Sequence, residues 1–365
     1  MIAAAAAETT LRTAALAFGF ASFSIAQEPD TAPPPASVTT PFVVYEAAKD
    51  GPGRGANVVF VTGDEEYRSE ESMPQLARIL ARLGCRCTVL FAIDPKTGAI
   101  DPGVNDNIPG LEALRDAQLM VLFTRFRDLP DESMQHVVDH VEAGRPIVAL
   151  RTATHAFAFE KHTKWKSWTW NAPDGGFGRR VLGETWVAHH GEHGKQSARG
   201  VIAEAAAQHP ILRGITAGSV WDPADVYAVR LPLPAGCETL LLGQVLDGMT
   251  PDAERARVVV DPNAKSVRDP NDPMMPVAWT RSHRAANGKD ARVFTTTMGS
   301  AQAFTQEGTR RLLVNACLWA LGRDEAITKD LDVSLVGDYR PSPFGFGTHR
   351  KGVRPADLAA DVRTK

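Results

Sequence analysis

A chain of 365 residues, 44% hydrophobic and 23% charged, has material for one large soluble domain or two small ones. A net charge of −3, with acids and bases mixed along the chain, excludes the basic stripe that tracks a nucleic-acid backbone. The four cysteines, Cys85, Cys87, Cys237 and Cys317, include no CxxC pair, which argues against a thiolate zinc site and for inert thiols.

At the start, Arg12 precedes the apolar stretch TAALAFGFASFSIA, and the small residues Ser24 and Ala26 stand before Gln27. This pattern predicts a cleavable export signal over 1–26, too short to span a bilayer, and hence a periplasmic or extracellular protein. The segment PDTAPPPASVTTP then opens a Pro/Gly-rich linker and lead-in over 27–56. No other segment reads as a membrane span.

From Asn57 the chain alternates. NVVFVTG is a β-branched and aromatic run closed by Gly63, a buried strand. SEESMPQLARILARLG spaces Met73, Leu76, Ala77, Leu80 and Leu83 as a helix, stopped by Gly84. CRCTVLFAI and AQLMVLFTRF are the second and third strands. LPDESMQHVVDHVEAG is a helix with Pro130 near its start and Gly144 at its end, and RPIVALRT is the fourth strand. Apolar strands alternating with helices predict an α/β fold with a mostly parallel central sheet and helices on both faces. Ligands in such sheets sit beyond the carboxyl ends of the strands, so the segments after Val61, Phe123 and Leu150 matter most. After Arg151 about forty residues lose periodicity and become rich in Trp, His and Gly, as functional loops often are. DVYAVRL, TLLLGQVL, MPVAWTR and ARVFTTTM read as further strands, and EGTRRLLVNACLWALG as a closing helix.

Chemistry concentrates in these loops. In GDEEYRSEES, Glu70 and Glu71 suit a helix N-terminus, while Asp64, Glu65 and Glu66 lie nearer the strand end, where an acid/base or ligand group would act. The turn ALRTATHAF offers Arg151 to an anionic or hydroxylated ligand and His155 as an acid/base group. It has no Ser or Cys nucleophile, which argues against acyl-enzyme chemistry. GETWVAHHGEHG packs His189, His190 and His193 beside Glu184 and Glu192, donors for a divalent metal such as Zn²⁺. Gly191 and Gly194 favour a loop there, and HEHGK is not a HExxH motif. Trp165, Trp168, Trp170, Trp186 and Phe177 supply ring faces suited to sugar C–H surfaces, or pin the loop to the domain. Nothing indicates a nucleotide cofactor.

The ordered run of TGDEEYRSEES, LFTRFRDLPDE, IVALRTATHAF, HHGEHG, HPILRGI, MPVAWTR, VFTTTMG and RRLLVNACLWALGR resembles the ThuA-like (trehalose utilisation) domain family over roughly 57–323. The resemblance implies a flavodoxin-like, class I glutamine amidotransferase-like sandwich without the amidotransferase triad, and a link to sugar metabolism. The chain departs from many members at the fourth strand's turn, where Arg151 stands in place of a histidine. The exported form, with its Pro/Phe/Gly-rich extension over 324–365, resembles a secreted bacterial subgroup. The resulting expectation is an enzyme acting on a small carbohydrate. His155, Asp64 and Glu66 would move protons, Arg151, Trp186, Tyr67 and Arg125 would bind substrate, and His189, His190 and His193 would hold a metal. The alternative is a non-catalytic carbohydrate-binding module. A glutaminase is discarded, because no cysteine stands at the fourth strand's turn.

Overall fold

The computed structural model describes residues 40–260 and 267–359. The expected export signal and the first part of the lead-in lie outside the described residues. The described part of the lead-in contains a strand, β1 (Phe42–Tyr45), which buries Val43 and Tyr45.

The next elements follow the apolar runs of the sequence: β2 (Asn57–Gly63), α1 (Ser69–Arg82), β3 (Arg86–Leu90), β4 (Leu119–Thr124), α2 (Asp131–Glu142) and β5 (Ile147–Leu150). After the irregular segment come β6 (Ala188–His189), β7 (Ser197–Ile202), β8 (Trp221–Asp222), β9 (Tyr227–Ala228) and β10 (Cys237–Leu246). The chain then runs through β11 (Val259–Val260), β12 (Val267–Arg268), β13 (Met275–Arg284), β14 (Asp290–Thr296) and α3 (Glu307–Ala320).

One sheet has the order β1-β3-β2-β4-β5-β14-β13-β10-β7-β8. The neighbours from β3 to β14 pair in parallel. Numbered by their own succession along the chain, these parallel strands stand 2-1-3-4-5, the flavodoxin-like order. The expected α/β sandwich is therefore the fold. Past β14 the sheet continues antiparallel through β13, β10, β7 and β8, and β1 adds an antiparallel edge on β3.

Residues alternate across each parallel strand, and each set meets its own layer. Val58, Phe60, Val121, Phe123, Val148 and Leu150 pack with α1 and α3. Val59, Val61, Met120, Leu122, Ile147 and Ala149 pack with α2 and the 3₁₀ turn Leu111–Asp116. Burial on both faces explains why these strands read as continuous apolar runs. The order reverses direction between β2 and β4, so the crevice for a ligand opens beyond their carboxyl ends. Among the described residues no helix is long and apolar enough to cross a membrane.

Candidate functional site

The loop leaving β2 is held by Asp64, which is fully buried. Its Oδ1 accepts the backbone N–H groups of Glu66 (2.9 Å) and Tyr67, and its Oδ2 accepts the Thr152 hydroxyl at 2.5 Å. Burial, with the neighbouring Glu65 charge, pushes its carboxyl up to about 6 against those hydrogen bonds. Asp64 thus ties the β2 loop to the β5 turn, with both oxygens committed to protein. Glu65 pairs with Arg125 and with Arg127, the latter at 2.9 Å. Glu66, 4% exposed, directs its carboxylate to His193, Oε1 to Nε2 at 3.1 Å.

Arg151 follows β5 directly and takes a left-handed backbone, φ 45. A non-glycine residue there is strained and persists only where its surroundings hold it. The guanidinium, 0% exposed, donates to the carbonyls of Asp225 (2.7 Å) and Thr297 (2.6 Å), to the Tyr67 hydroxyl (3.1 Å) and to Asp225 Oδ1 (3.2 Å). It also lies over the rings of Tyr227 and Tyr67, 3.8 and 4.3 Å from their centroids. The expected ligand-binding arginine therefore stands beneath the site, its charge shared among protein groups.

The histidine loop is drawn in by pairing of β6 with β9, Ala188 opposite Ala228 and His189 opposite Tyr227. This puts the loop against Asp225, a residue the sequence reading did not single out. Asp225 Oδ2 lies 2.9 Å from His189 Nδ1, and Oδ1 lies 3.1 Å from His193 Nδ1. An ionised carboxylate only accepts, so His189 carries its proton on Nδ1. Both nitrogens of His193 face carboxylates, Asp225 on one side and Glu66 on the other, so both carry protons. These two hydrogen bonds raise its pKa to about 9, against partial burial. For Asp225, desolvation pushes the carboxyl up, but the hydrogen bonds from His189 and His193 and the Arg151 charge hold it well below the usual range.

His190 turns away from this cluster. Its Nε2 meets the Pro270 carbonyl at 2.7 Å, and Arg268 covers it. Glu184 is buried against Arg179, and Glu192 pairs with Lys195 at 2.8 Å. The donors that converge are instead His189, His193 and Asp225, one atom from each lying within 4.8 Å of the others. Two imidazoles and a carboxylate are a three-ligand set known from catalytic zinc sites, so these residues fit a Zn²⁺ ion.

Rings wall the cluster. His189 stands 4.8 Å from His193 and 5.8 Å from Trp186, centroid to centroid. Trp186 stands 5.1 Å from His155, which stands 5.0 Å from Phe126. The Arg125 guanidinium lies 4.5 Å over Phe126. Trp170 backs Phe126 and Trp186, while Tyr67 and Tyr227 are buried below. His155 is 3% exposed. Burial, with the charges of Arg125 and Arg151, holds its pKa well below 6.5, so it is neutral. The remaining aromatics pin the loop: Trp168 stacks on Phe177, and Trp165 meets Trp168 edge-on. Cys87 in β3, Cys317 in α3 and Cys85 just before β3 are buried and free, and Cys237 begins β10.

A family model described as ThuA, trehalose utilisation, matches residues 57–320. Two solved structures of ThuA-like proteins are similar. That from Parabacteroides merdae ATCC 43184 has 17% identity and a TM-score of 0.44 over 73% of this chain and 90% of its own. That from Bacteroides uniformis ATCC 8492 has 14% identity and a TM-score of 0.39 over 79% and 99%. No curated protein matches the sequence. With nearly all of the sandwich inside the matched region, the chain belongs to the ThuA, or trehalose utilisation, family.

Proposed function

We propose that the protein is an exported enzyme acting on a small carbohydrate, with His189 as its acid/base group and Asp225 as the carboxylate that orients it. The observation that carries this reading is the hydrogen-bonded series Glu66–His193–Asp225–His189 at the carboxyl end of a flavodoxin-like sheet. Asp225 is 0% exposed and fixes the His189 tautomer, while the His189 side chain is 42% exposed. Nε2 is thereby left to exchange a proton with a hydroxyl or carbonyl of the ligand. Arg151 holds Asp225 ionised and in place without facing the ligand. Neutral His155 and the indole of Trp186 offer a hydrogen-bonding and stacking wall for a sugar ring. The family's association with trehalose utilisation supports a sugar over other small molecules.

His189, His193 and Asp225 are also the residues that would hold a divalent ion such as Zn²⁺. When bound, such an ion supplies Lewis-acid polarisation of a sugar oxygen. Holding it would require the ligating nitrogens of His189 and His193 to give up their protons, so occupancy would fall as pH drops.

The test combines metal analysis of the purified full chain with turnover of a panel of disaccharides and 3-keto-sugars by wild type and His189→Ala. Turnover by wild type that falls at least about 100-fold in the variant supports the assignment. Sugar binding with no turnover in either protein identifies a binding module and refutes the enzyme.

A further inference from the structure

The family match ends at residue 320, yet the chain beyond it returns to the site. The Gly345 N–H donates to the Glu66 carbonyl at 2.8 Å. Arg68, wholly buried and in a left-handed backbone of φ 64, donates to the Gly345 carbonyl and the Thr348 hydroxyl. A buried guanidinium is costly unless its donors are used, and the tail supplies both acceptors of its Nη2. The extension is therefore fastened to the same loop that carries Glu66.

This anchorage places two rings. Phe344 lies 5.4 Å from Tyr67 and 5.7 Å from His193, centroid to centroid. Phe346, on the other side of Gly345, lies 5.0 Å from the Arg125 guanidinium, which also lies over Phe126. The wall described above runs from His193 to Arg125. Phe344 meets its first end and Phe346 its last, so the tail closes the circuit. Phe346 nevertheless remains 55% exposed, an apolar face left open at the rim of a polar site.

We infer that residues 344–346 belong to the substrate site, and that Phe346 is a stacking platform for a second sugar ring. The preferred substrate is then a disaccharide, or a glycoside with a ring-sized aglycone, over a monosaccharide. Arg125 braces the platform from behind by its cation–π contact, and its own charge is met by Glu65. The inference rests on the carbohydrate reading above. It adds a specificity determinant that lies outside the matched family region.

Calorimetric titration of the full chain with trehalose, maltose, sucrose and glucose tests it, using wild type, Phe346→Ala and Phe346→Tyr. Phe346→Ala should weaken binding of whichever disaccharide the wild type takes by about 10-fold, raise KM rather than lower kcat, and leave glucose within about twofold. Phe346→Tyr should restore the disaccharide affinity. Because the ring is more than half exposed, folding should be unaffected. A disaccharide affinity unchanged in Phe346→Ala, or lost equally for glucose, overturns the platform and leaves the carbohydrate reading standing. A wild type that binds none of the four sugars overturns both.

Discussion

At the residue scale, the site depends on one buried ion pair. Arg151 and Asp225 are both 0% exposed and 3.2 Å apart. Each charge is tolerable only because the other, with hydrogen bonds, compensates it. Asp225→Ala leaves the guanidinium buried against two tyrosine rings without its carboxylate, and should destabilise the protein by about 3–5 kcal/mol in urea unfolding. A loss below about 1 kcal/mol would show that the tyrosines and carbonyls alone satisfy Arg151. Arg151 is legible in the sequence, because it directly follows an apolar strand. Asp225 is not, because it lies 74 residues away and meets the arginine only once the chain has folded. A signal was present in DPADVY, two aspartates just before a strand, but it does not say which one acts. Asp222 in fact caps the turn before α3 by accepting from Gly299 and Ser300. The same limit applies to His190: adjacent histidines on an extended segment point to opposite sides. Only tertiary pairing decides that His189 and His193 face Asp225.

At the scale of elements, the parallel half of the sheet was readable because burial on both faces removes polar residues from its strands. The antiparallel half was readable only in part. β7, Ser197–Ile202, carries Ser, Arg and Gly, and does not stand out as an apolar run. DVYAVRL yields only the two-residue β9. The first turn of α1 shows a different gap. Their place in the sequence suits Glu70 and Glu71 to the helix dipole, yet both Glu70 oxygens are buried and without hydrogen-bond partners among the described residues. The residue borders a cavity of about 280 Å³ between α1 and the tail. Burial lifts its pKa from the usual 4.5 to about 8. A raised carboxylate pKa costs nothing below its unfolded value, an increasing amount as pH climbs from there to its folded value, and no more above it. Wild type should therefore lose stability between about pH 4.5 and pH 8 relative to Glu70→Gln, with each pKa unit worth about 1.4 kcal/mol. Thermal melts of both proteins at pH 4 and pH 9 check this. The variant should gain Tm only at the higher pH, and equal Tm differences at both would show that Glu70 is solvated in solution.

At the scale of the whole molecule, the candidate site gathers where the strand order reverses. Loops after β2, β4 and β5 supply Glu66, Arg125 and His155, as the topology rule anticipates. The histidine loop and Asp225 come from the antiparallel extension, and the tail brings Phe344 and Phe346. The tail lacks periodicity, so its aromatics read as turn residues until their contacts are known. The proposed site stands or falls on His193, which is held between Glu66 and Asp225 and so fixes the carboxylate that orients His189. The most direct measurement is turnover of the saccharide panel by wild type, His193→Gln and Glu192→Gln. The last variant alters a neighbouring residue that pairs with Lys195. A loss of at least about 100-fold is expected in His193→Gln, with unchanged turnover in Glu192→Gln. Full activity in His193→Gln would contradict it.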